Sequence, residues 1–314
     1  MTERVDHGML INVAYRLLGS VAEAEDAVQD AYERWYRQPE ERRREIASPT
    51  AWLVTVTTRV CLDVLGSAHA RRERYVGPWL PDPLPNSTRW TSHAATIQPD
   101  DPADRVSLDE SLSMALLVVL EAMTPPERVA FVLHDVFRYT FAEIGEIVGR
   151  SAPACRQLAS AARRRVREAR SGAASSTEHE RVVAAFRNAL DTGDLDALIA
   201  VLDPDVLAIP DGGGRVRSAT QPLRGAESIA RYLLQLYRLQ PGLAFDLTTV
   251  NGQAGLVGRD HTGRTLAIAA VDVAHGRIRT LWITRNPDKL TLWSGRRSGL
   301  DAPAVSAVQD VSDA

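Results

Sequence analysis

The chain has 314 residues, enough for two or three domains, and its 45% hydrophobic and 25% charged composition suits a soluble protein that buries real cores. Two cysteines far apart, Cys61 and Cys155, exclude a disulfide framework and a cysteine-rich zinc site, and read as small buried apolar residues. No stretch reaches the roughly 20 apolar residues of a membrane span, and MTERVDHGML lacks the basic and apolar segments of a secretory signal, so the expected compartment is the cytoplasm. The formal net charge of −3 argues weakly against nucleic acid, yet the charge is segregated. Arg150 to Arg170 holds seven arginines and one acid, whereas Val21 to Glu33 holds five acids and no base. A basic face and an acidic face act locally, whatever the average.

Residues 1–74 read as helices. Val13, Leu17 and Leu18 form one apolar stripe; Ala24, Ala27, Val28, Ala31 and Trp35 form a second at helical spacing, with Ser20 as its cap and Pro39 past its end. A third helix begins at Ser48-Pro49 and carries Trp52, Leu53, Val56, Val60, Leu62 and Leu65. Residues 75–105 contain six prolines (78, 81, 83, 85, 99 and 102) and read as an extended, partly stiff linker. Residues 106–170 return to helix. Leu108 to Ala122 is apolar, Thr124-Pro125-Pro126-Glu127 opens another helix, and Thr140 to Glu143 is a capping box for a helix that ends at Gly149. Ser151 then caps a basic helix to about Arg170; helix, Gly-containing turn and basic helix together make a helix-turn-helix signature.

Residues 171–177 form a small-residue hinge. Beyond it, helices are expected at 178–190, 194–202 and 226–239, and strands at 205–210, 243–250, 254–259, 264–273 and 277–284, with glycines 252, 263 and 276 as turns. That order predicts a separate α+β domain over 178–294, followed by a flexible tail over 295–314.

Three constellations carry chemistry. Arg156, Gln157, Ser160, Arg163, Arg164 and Arg167 share one face of the last basic helix. Arginine pairs with guanine edges, glutamine with adenine, and the remainder hold phosphates. Arg59, Asp63, Arg71, Arg72 and Arg74 follow the Trp52 helix and offer a second nucleic-acid surface, with Trp52 itself read as core. The acidic helix suits a basic protein partner, although part of its charge simply answers the helix dipole.

Together these residues resemble the extracytoplasmic-function sigma factors of RNA polymerase. RLLGSVAEAEDAVQDAYERWYR resembles regions 2.1–2.2, SPTAWLVTVTTRVCLDVLGSAHARRERYVG resembles regions 2.3–2.4, and LEAMTPPERVAFVLHDVFRYTFAEIGEIVGRSAPACRQLASAARRRVRE resembles region 4. The resemblance covers residues 1–170 in family order. It implies that Asp26, Gln29, Asp30 and Trp35 face the β′ coiled coil of core RNA polymerase. Arg59, Asp63, Arg71 and Arg72 would then lie near −10 DNA, and Arg156, Gln157, Ser160, Arg163 and Arg164 near −35 DNA, with region 4 also touching the β flap. Residues 178–294 resemble a SnoaL-like domain of the NTF2-like cone fold, an extension carried by the sigma-J type sub-group. The sub-group's hallmarks are WLPDPL (Trp79, Leu80 and Pro81 among its residues), DGGGR (Asp211, Gly212, Gly213, Gly214, Arg215) and NPDKL (Asn286, Pro287, Asp288, Lys289).

The resemblance implies a multidomain chain: two all-α modules, a region 2 bundle and a region 4 helix-turn-helix, plus an α+β cone domain that tunes activity in place of a separate anti-sigma protein. It also implies promoter DNA as a partner, and no catalytic residue, metal, cofactor or membrane. Two alternatives stay open. The C-terminal domain can instead be a sensor of an unknown small ligand or a relic enzyme, with His261, Asp272, His275 and Trp282 as its polar candidates. The whole chain can instead be a ligand-responsive helix-turn-helix regulator, which leaves the acidic helix unexplained.

Overall fold

The computed structural model describes residues 6–72, 75–88, 112–216, 218–240 and 242–294, with the side chains of 68–72 outside the description. The start of the helix expected from Leu108, the second half of the linker and the expected tail fall outside the described residues.

The first module has four helices: α1 (His7–Leu18), α2 (Val21–Tyr36), α3 (Glu40–Glu45) and α4 (Pro49–Arg72). Helix α1 is buried from Leu10 to Leu18 and is the hub of the module. It ends at Gly19 with φ 72°, a left-handed cap that turns the chain straight into α2. Ser20 caps α2 as expected, and Ala24, Ala27, Val28 and Ala31 form its buried face. The short α3 was not legible in the hydrophobic pattern because EERRRE has no apolar face; acids in its first turn and arginines in its last match the helix dipole instead.

The second module contains α5 (Met114–Glu121), α6 (Pro125–Phe131), a π-helical turn (Val132–Val136), α7 (Phe141–Val148) and α8 (Ala152–Ala169). The Thr140 hydroxyl accepts the Glu143 N–H at 3.3 Å while the Glu143 carboxylate accepts the Thr140 N–H at 2.7 Å, the expected capping box. Gly149, at φ 71°, ends α7, and the Ser151 hydroxyl accepts the Ala154 N–H to open α8. One continuous apolar core runs through both modules, from Leu10 on α1 to Val166 on α8, and both cysteines lie within it.

The C-terminal domain holds α9 (Ser176–Thr192), α10 (Leu195–Val201), α11 (Ala226–Leu239) and strands β1 (Leu202–Asp211), β2 (Leu223–Arg224), β3 (Ala244–Val250), β4 (Gln253–Arg259), β5 (Thr265–Ala274) and β6 (Arg277–Thr284). They form one sheet in the order β2-β1-β6-β5-β4-β3, with β1 parallel to β6 and the other pairs antiparallel. The α+β expectation holds, and only the two-residue β2 was not anticipated.

Both faces of the sheet are covered. Leu256, Ala269, Val271, Leu281 and Ile283 join the core under the domain's own helices. Alternate positions Val257, Ile268, Ala270 and Trp282 pack with Leu80 from the linker and with Met114, Ala115 and Val118 from α5. Helix α5 therefore serves two domains, and the described part of the linker, residues 75–88, is a packed layer of the structure rather than a tether.

Candidate functional site

The linker segment 75–88 runs as an irregular strap between the first module and the C-terminal domain, and its polar groups are met on both sides. Its upstream end is clasped by Asp211, the last residue of β1, which is 0% exposed. One Asp211 oxygen accepts from the Tyr75 hydroxyl at 2.6 Å and from the Gly213 N–H at 3.1 Å. The other accepts from the Leu80 N–H at 3.0 Å and pairs with Lys289 at 2.8 Å. Lys289 also donates to the Leu80 carbonyl and lies 4.3 Å from the centre of the Trp79 ring. Asn286 donates to the Tyr75 hydroxyl at 2.8 Å, and Arg215 pairs with Asp288 at 3.2 Å on the surface. Burial together with the adjacent carboxylate pushes the Tyr75 phenol well above its ordinary pKa.

Gly213 has φ 58°, and a Cβ there would come within 2.3 Å of the Asn286 amide nitrogen. The glycine run thus lets the loop backbone press against Tyr75 and Asn286 where a side chain has no room.

The downstream end is clasped by the first module. The Asp82 carboxylate accepts the Val21 N–H at 2.8 Å, the Asp82 N–H donates to the Gly19 carbonyl at 2.8 Å, and the Tyr15 hydroxyl donates to the Asp82 carbonyl at 2.6 Å. Asn251, in the β3–β4 turn, donates to Tyr15 at 3.1 Å, accepts the Leu84 N–H at 3.0 Å and donates its own N–H to the Leu84 carbonyl. Trp293 donates its indole N–H to the Pro83 carbonyl at 2.7 Å. Burial pushes the Asp82 carboxyl up to about 6, although Lys289, the Val21 N–H and the Ser20 hydroxyl all pull it down.

Two surfaces stay open to solvent. On α2, Glu25, Asp26, Gln29 and Glu33 are exposed, while Asp30 is half-buried and held by Arg34 at 2.8 Å. On α8, Arg156, Gln157, Ser160, Arg164 and Arg167 are exposed, opposite the buried face of Cys155, Ala159, Ala162 and Val166. Arg156 lies over the Phe141 ring at 5.4 Å, which holds its guanidinium near the start of α7.

Family models for Sigma-70 region 2 and Sigma-70 region 4 match residues 5–74 and 113–166. The ECF RNA polymerase sigma factor SigJ of Mycobacterium tuberculosis is 41% identical over 293 residues, 90% of either chain. The chain belongs to the extracytoplasmic-function RNA polymerase sigma factors. The probable ECF sigma factor SigI of the same organism is 35% identical over 289 residues, 91% of this chain and 93% of that one. The crystal structure of SigJ superposes with a TM-score of 0.66 at 36% identity, across 90% of this chain and 95% of that one. The first module is thus sigma region 2 and the second is region 4. The general role of a sigma factor, binding core RNA polymerase and reading promoter DNA, follows from that membership. The reading as a simple helix-turn-helix regulator is not favoured.

Several residues expected at DNA or polymerase have partners within the protein. Arg59, expected at −10 DNA, is bound instead to the end of α7: its guanidinium donates to the Glu146 carbonyl at 2.8 Å and the Ile147 carbonyl at 3.2 Å. Arg163, expected on the −35 face, turns inward to the buried Asp135 at 2.6 Å, because an unpaired carboxylate there is costly. Trp35, expected to face polymerase, is half-buried against Trp52 with ring centres 5.1 Å apart, so both tryptophans belong to the core. Asp63 is exposed. Arg71 and Arg72 end α4, but their side chains lie outside the description, as does Arg74.

The polar ligand candidates are scattered. His261 and His275 are exposed in turns, Asp272 pairs with Arg279 at 2.6 Å, and Trp282 is in the core beneath the strap. The domain does contain a cavity of about 50 Å³ on the opposite face of the sheet, lined by Phe186, Leu190, Tyr232, Leu233, Phe245 and Ala267 among others, with Arg285 and Gln240 as polar neighbours. Among the described residues, no cluster of three or more metal-ligating side chains occurs.

Sequence reasoning grouped Trp79, Leu80, Asp211, the glycines, Asn286 and Lys289, and the structure brings these together in space. It missed Tyr75, Asp82, Tyr15 and Asn251. Asp82, an acid between two prolines of an apolar motif, was the available signal; Tyr15 and Asn251 lie 67 residues before and 167 residues after the strap atoms they bond, which no local pattern encodes.

Proposed function

We propose that this sigma factor is tuned by its own C-terminal domain through the strap, which ties region 2, region 4 and the domain into one closed body. The carrying observation is the buried Asp211–Lys289 pair, which holds both the Leu80 N–H and the Leu80 carbonyl from the domain side. With such an internal partner the chain needs no separate anti-sigma protein. The domain acts as a regulatory body without a reaction of its own: its cavity lining is largely apolar, and the NTF2-like reading supplies only a scaffold. Exposed Asp26 and Gln29, with Asp30 beside them, form the polymerase-facing surface. Arg156, Gln157, Ser160 and Arg164 form the −35 surface. The chain works where polymerase and promoters are, in the cytoplasm.

The test is promoter-dependent transcription by core polymerase with the full chain beside Lys289→Met. That variant removes the strap's charged clasp and touches neither open surface. Transcript yield is expected to change at equal polymerase occupancy; identical yield from both proteins would remove the regulatory reading. A second reading, a small apolar ligand of the domain, has the cavity as its support. A thermal-shift screen of indole and short-chain fatty acids against the full chain checks it, and no shift for any of them would discard it.

A further inference from the structure

Two helices of the sigma modules stop on left-handed glycines, α1 on Gly19 and α7 on Gly149. Helix α8 has no such stop. It passes into Arg170 at φ −89°, and the last carbonyls of an α-helix have no N–H of their own helix to meet. An arginine of the C-terminal domain supplies the donors. Arg279, on β6, donates through Nη2 to the Ala169 carbonyl at 2.7 Å and through Nη1 to the Ser171 carbonyl at 3.4 Å. Its Nε donates at 2.7 Å to Asp272 of β5, whose side chain is 13% exposed. The guanidinium is thus fixed by its own sheet and sits at the negative end of α8, where a cation is favoured.

The segment after α8, which the sequence reads as a small-residue hinge, is paired to the sheet beside this cap. The Ala174 N–H donates to the Val273 carbonyl at 3.0 Å, and Ala173 faces Ala274 as one further antiparallel step at the end of β5. Within region 4, α8 is held at its middle by Arg163 on Asp135 and by Arg165 on Glu127 at 3.0 Å. Its last turn carries the exposed Arg167, with the exposed Arg164 three residues earlier on the same face. That turn is the part of the helix that the C-terminal domain holds.

We propose that Arg279 is a positioning residue for −35 DNA: from the C-terminal domain it caps α8 and keeps Arg164 and Arg167 where they meet phosphates. The proposal rests on the reading of α8 as the −35 surface. The two ends of the helix then have separate duties. Arg156 and Gln157, near the Ser151 cap, read base edges without help from the domain, and the far end grips the backbone with it. Asp272 belongs to the same device, because it holds the guanidinium in place. The domain is then a contributor to DNA affinity as well as the anchor of the strap.

The experiment measures binding of a fluorescent promoter duplex by core polymerase with the full chain, across a salt series, for wild type, Arg279→Gln, Arg279→Lys and Asp272→Asn. Arg279→Gln is expected to weaken binding roughly three- to tenfold and to make the logarithmic salt slope shallower by about one to two, the weight of one or two phosphate contacts. Discrimination among duplexes that differ at −35 bases is expected to stay as in wild type. Arg279→Lys, which keeps the charge but cannot fork across two carbonyls, is expected to fall between. Asp272→Asn separates positioning from direct contact with DNA: loss of a negative charge by itself tightens binding, whereas release of Arg279 weakens it. Amide exchange at residues 166–171 of the free chain is expected to speed up in Arg279→Gln and Asp272→Asn, while α7 and β1 keep their protection. Unchanged binding by Arg279→Gln overturns the proposal, as does tighter binding by Asp272→Asn or unaltered exchange in both. If wild-type binding ignores the −35 bases, the reading of α8 fails and the DNA role of Arg279 falls with it; the exchange data then still decide whether Arg279 caps the helix.

Discussion

The two ends of the strap are held by the same chemistry on different terms. At the upstream end, the fully buried Asp211 has a dedicated cation in Lys289 and four partners for its two oxygens. At the downstream end, Asp82 is nearly as buried, accepts the Val21 N–H and has no ion pair among the described residues. Two buried carboxylates thus share the influence of one lysine, which pairs with the first at 2.8 Å. The upstream clasp is a closed electrostatic unit; the downstream clasp keeps a carboxyl whose affinity for a proton is raised. The difference gives them separate responses: the domain end is held by a charge pair, and the region 2 end by a carboxyl that responds to pH.

The largest expected effect breaks the stronger end. Asp211→Ala strands the Lys289 ammonium, 9% exposed at its side chain, and leaves the Leu80 N–H and Tyr75 hydroxyl without their acceptor. Removing one member of a buried ion pair costs about 3–5 kcal/mol. We expect the strap at 75–88 to become a site of rapid proteolytic cleavage, while β1 and β6, paired from Leu207 to Asp211, keep the sheet intact. The double substitution Asp211→Ala with Lys289→Met is expected to recover part of the loss, because it strands no charge. Melting curves of the four proteins measure this; equal losses in the single and double variants would mean that the charge pair is not what holds this end.

The helices, the helix-turn-helix and the strands of the C-terminal domain were legible because each rests on local rules: caps at Ser20, Thr140 and Ser151, left-handed glycine at 149, and apolar runs in β4 to β6 bounded by turn glycines 252, 263 and 276. The strap partners Asp211, Gly213 and Lys289 were grouped only through the resemblance, as parts of the DGGGR and NPDKL hallmarks. What the sequence hid is which partner each polar group finds. Arg59 and Arg163 look like DNA readers in a basic context, and in the folded chain Arg59 meets helix carbonyls and Arg163 a buried acid. Nothing local to α4 reveals that α7 ends against it. The linker reads as a tether because proline forbids regular structure, but proline does not forbid packing, and Leu80 and Leu84 are each 2% exposed.

The next effect sharpens the contrast between the two ends through pH. The Asp82 carboxyl, raised from 3.8 to about 6, binds its proton more tightly when buried in the closed chain than when open. Its contribution to closure is therefore fully present below about pH 4, is lost as pH rises through about 6, and stays absent at neutral pH. A difference of that size corresponds to about 3 kcal/mol as an upper bound. The groups facing it are Lys289, Asp211 and Tyr15, with Lys289 paired to Asp211 at 2.8 Å. Asp82→Asn is expected to flatten this part of the profile. The check is the difference in melting temperature between wild type and variant from pH 4.5 to 7.5: wild type should gain on the variant as pH falls. Parallel profiles would show that Asp82 does not carry the proton.

The smallest effect probes whether the downstream end joins two domains or three. The Tyr15 hydroxyl donates to the strap at the Asp82 carbonyl and accepts from Asn251 of the C-terminal domain, so one atom of region 2 links both. Tyr15→Phe leaves two buried polar groups unmet, a cost of about 1–2 kcal/mol. Asn251 occupies φ 51°, so Asn251→Gly removes its side chain without backbone strain. If the hydroxyl acts as a bridge, the two substitutions are non-additive: once Asn251 loses its amide, Tyr15→Phe gives up only its bond to the strap. A double-mutant cycle by denaturant titration measures the coupling. Additive losses would place Tyr15 with the strap alone, and the C-terminal domain would then reach region 2 only through the chain that runs between them.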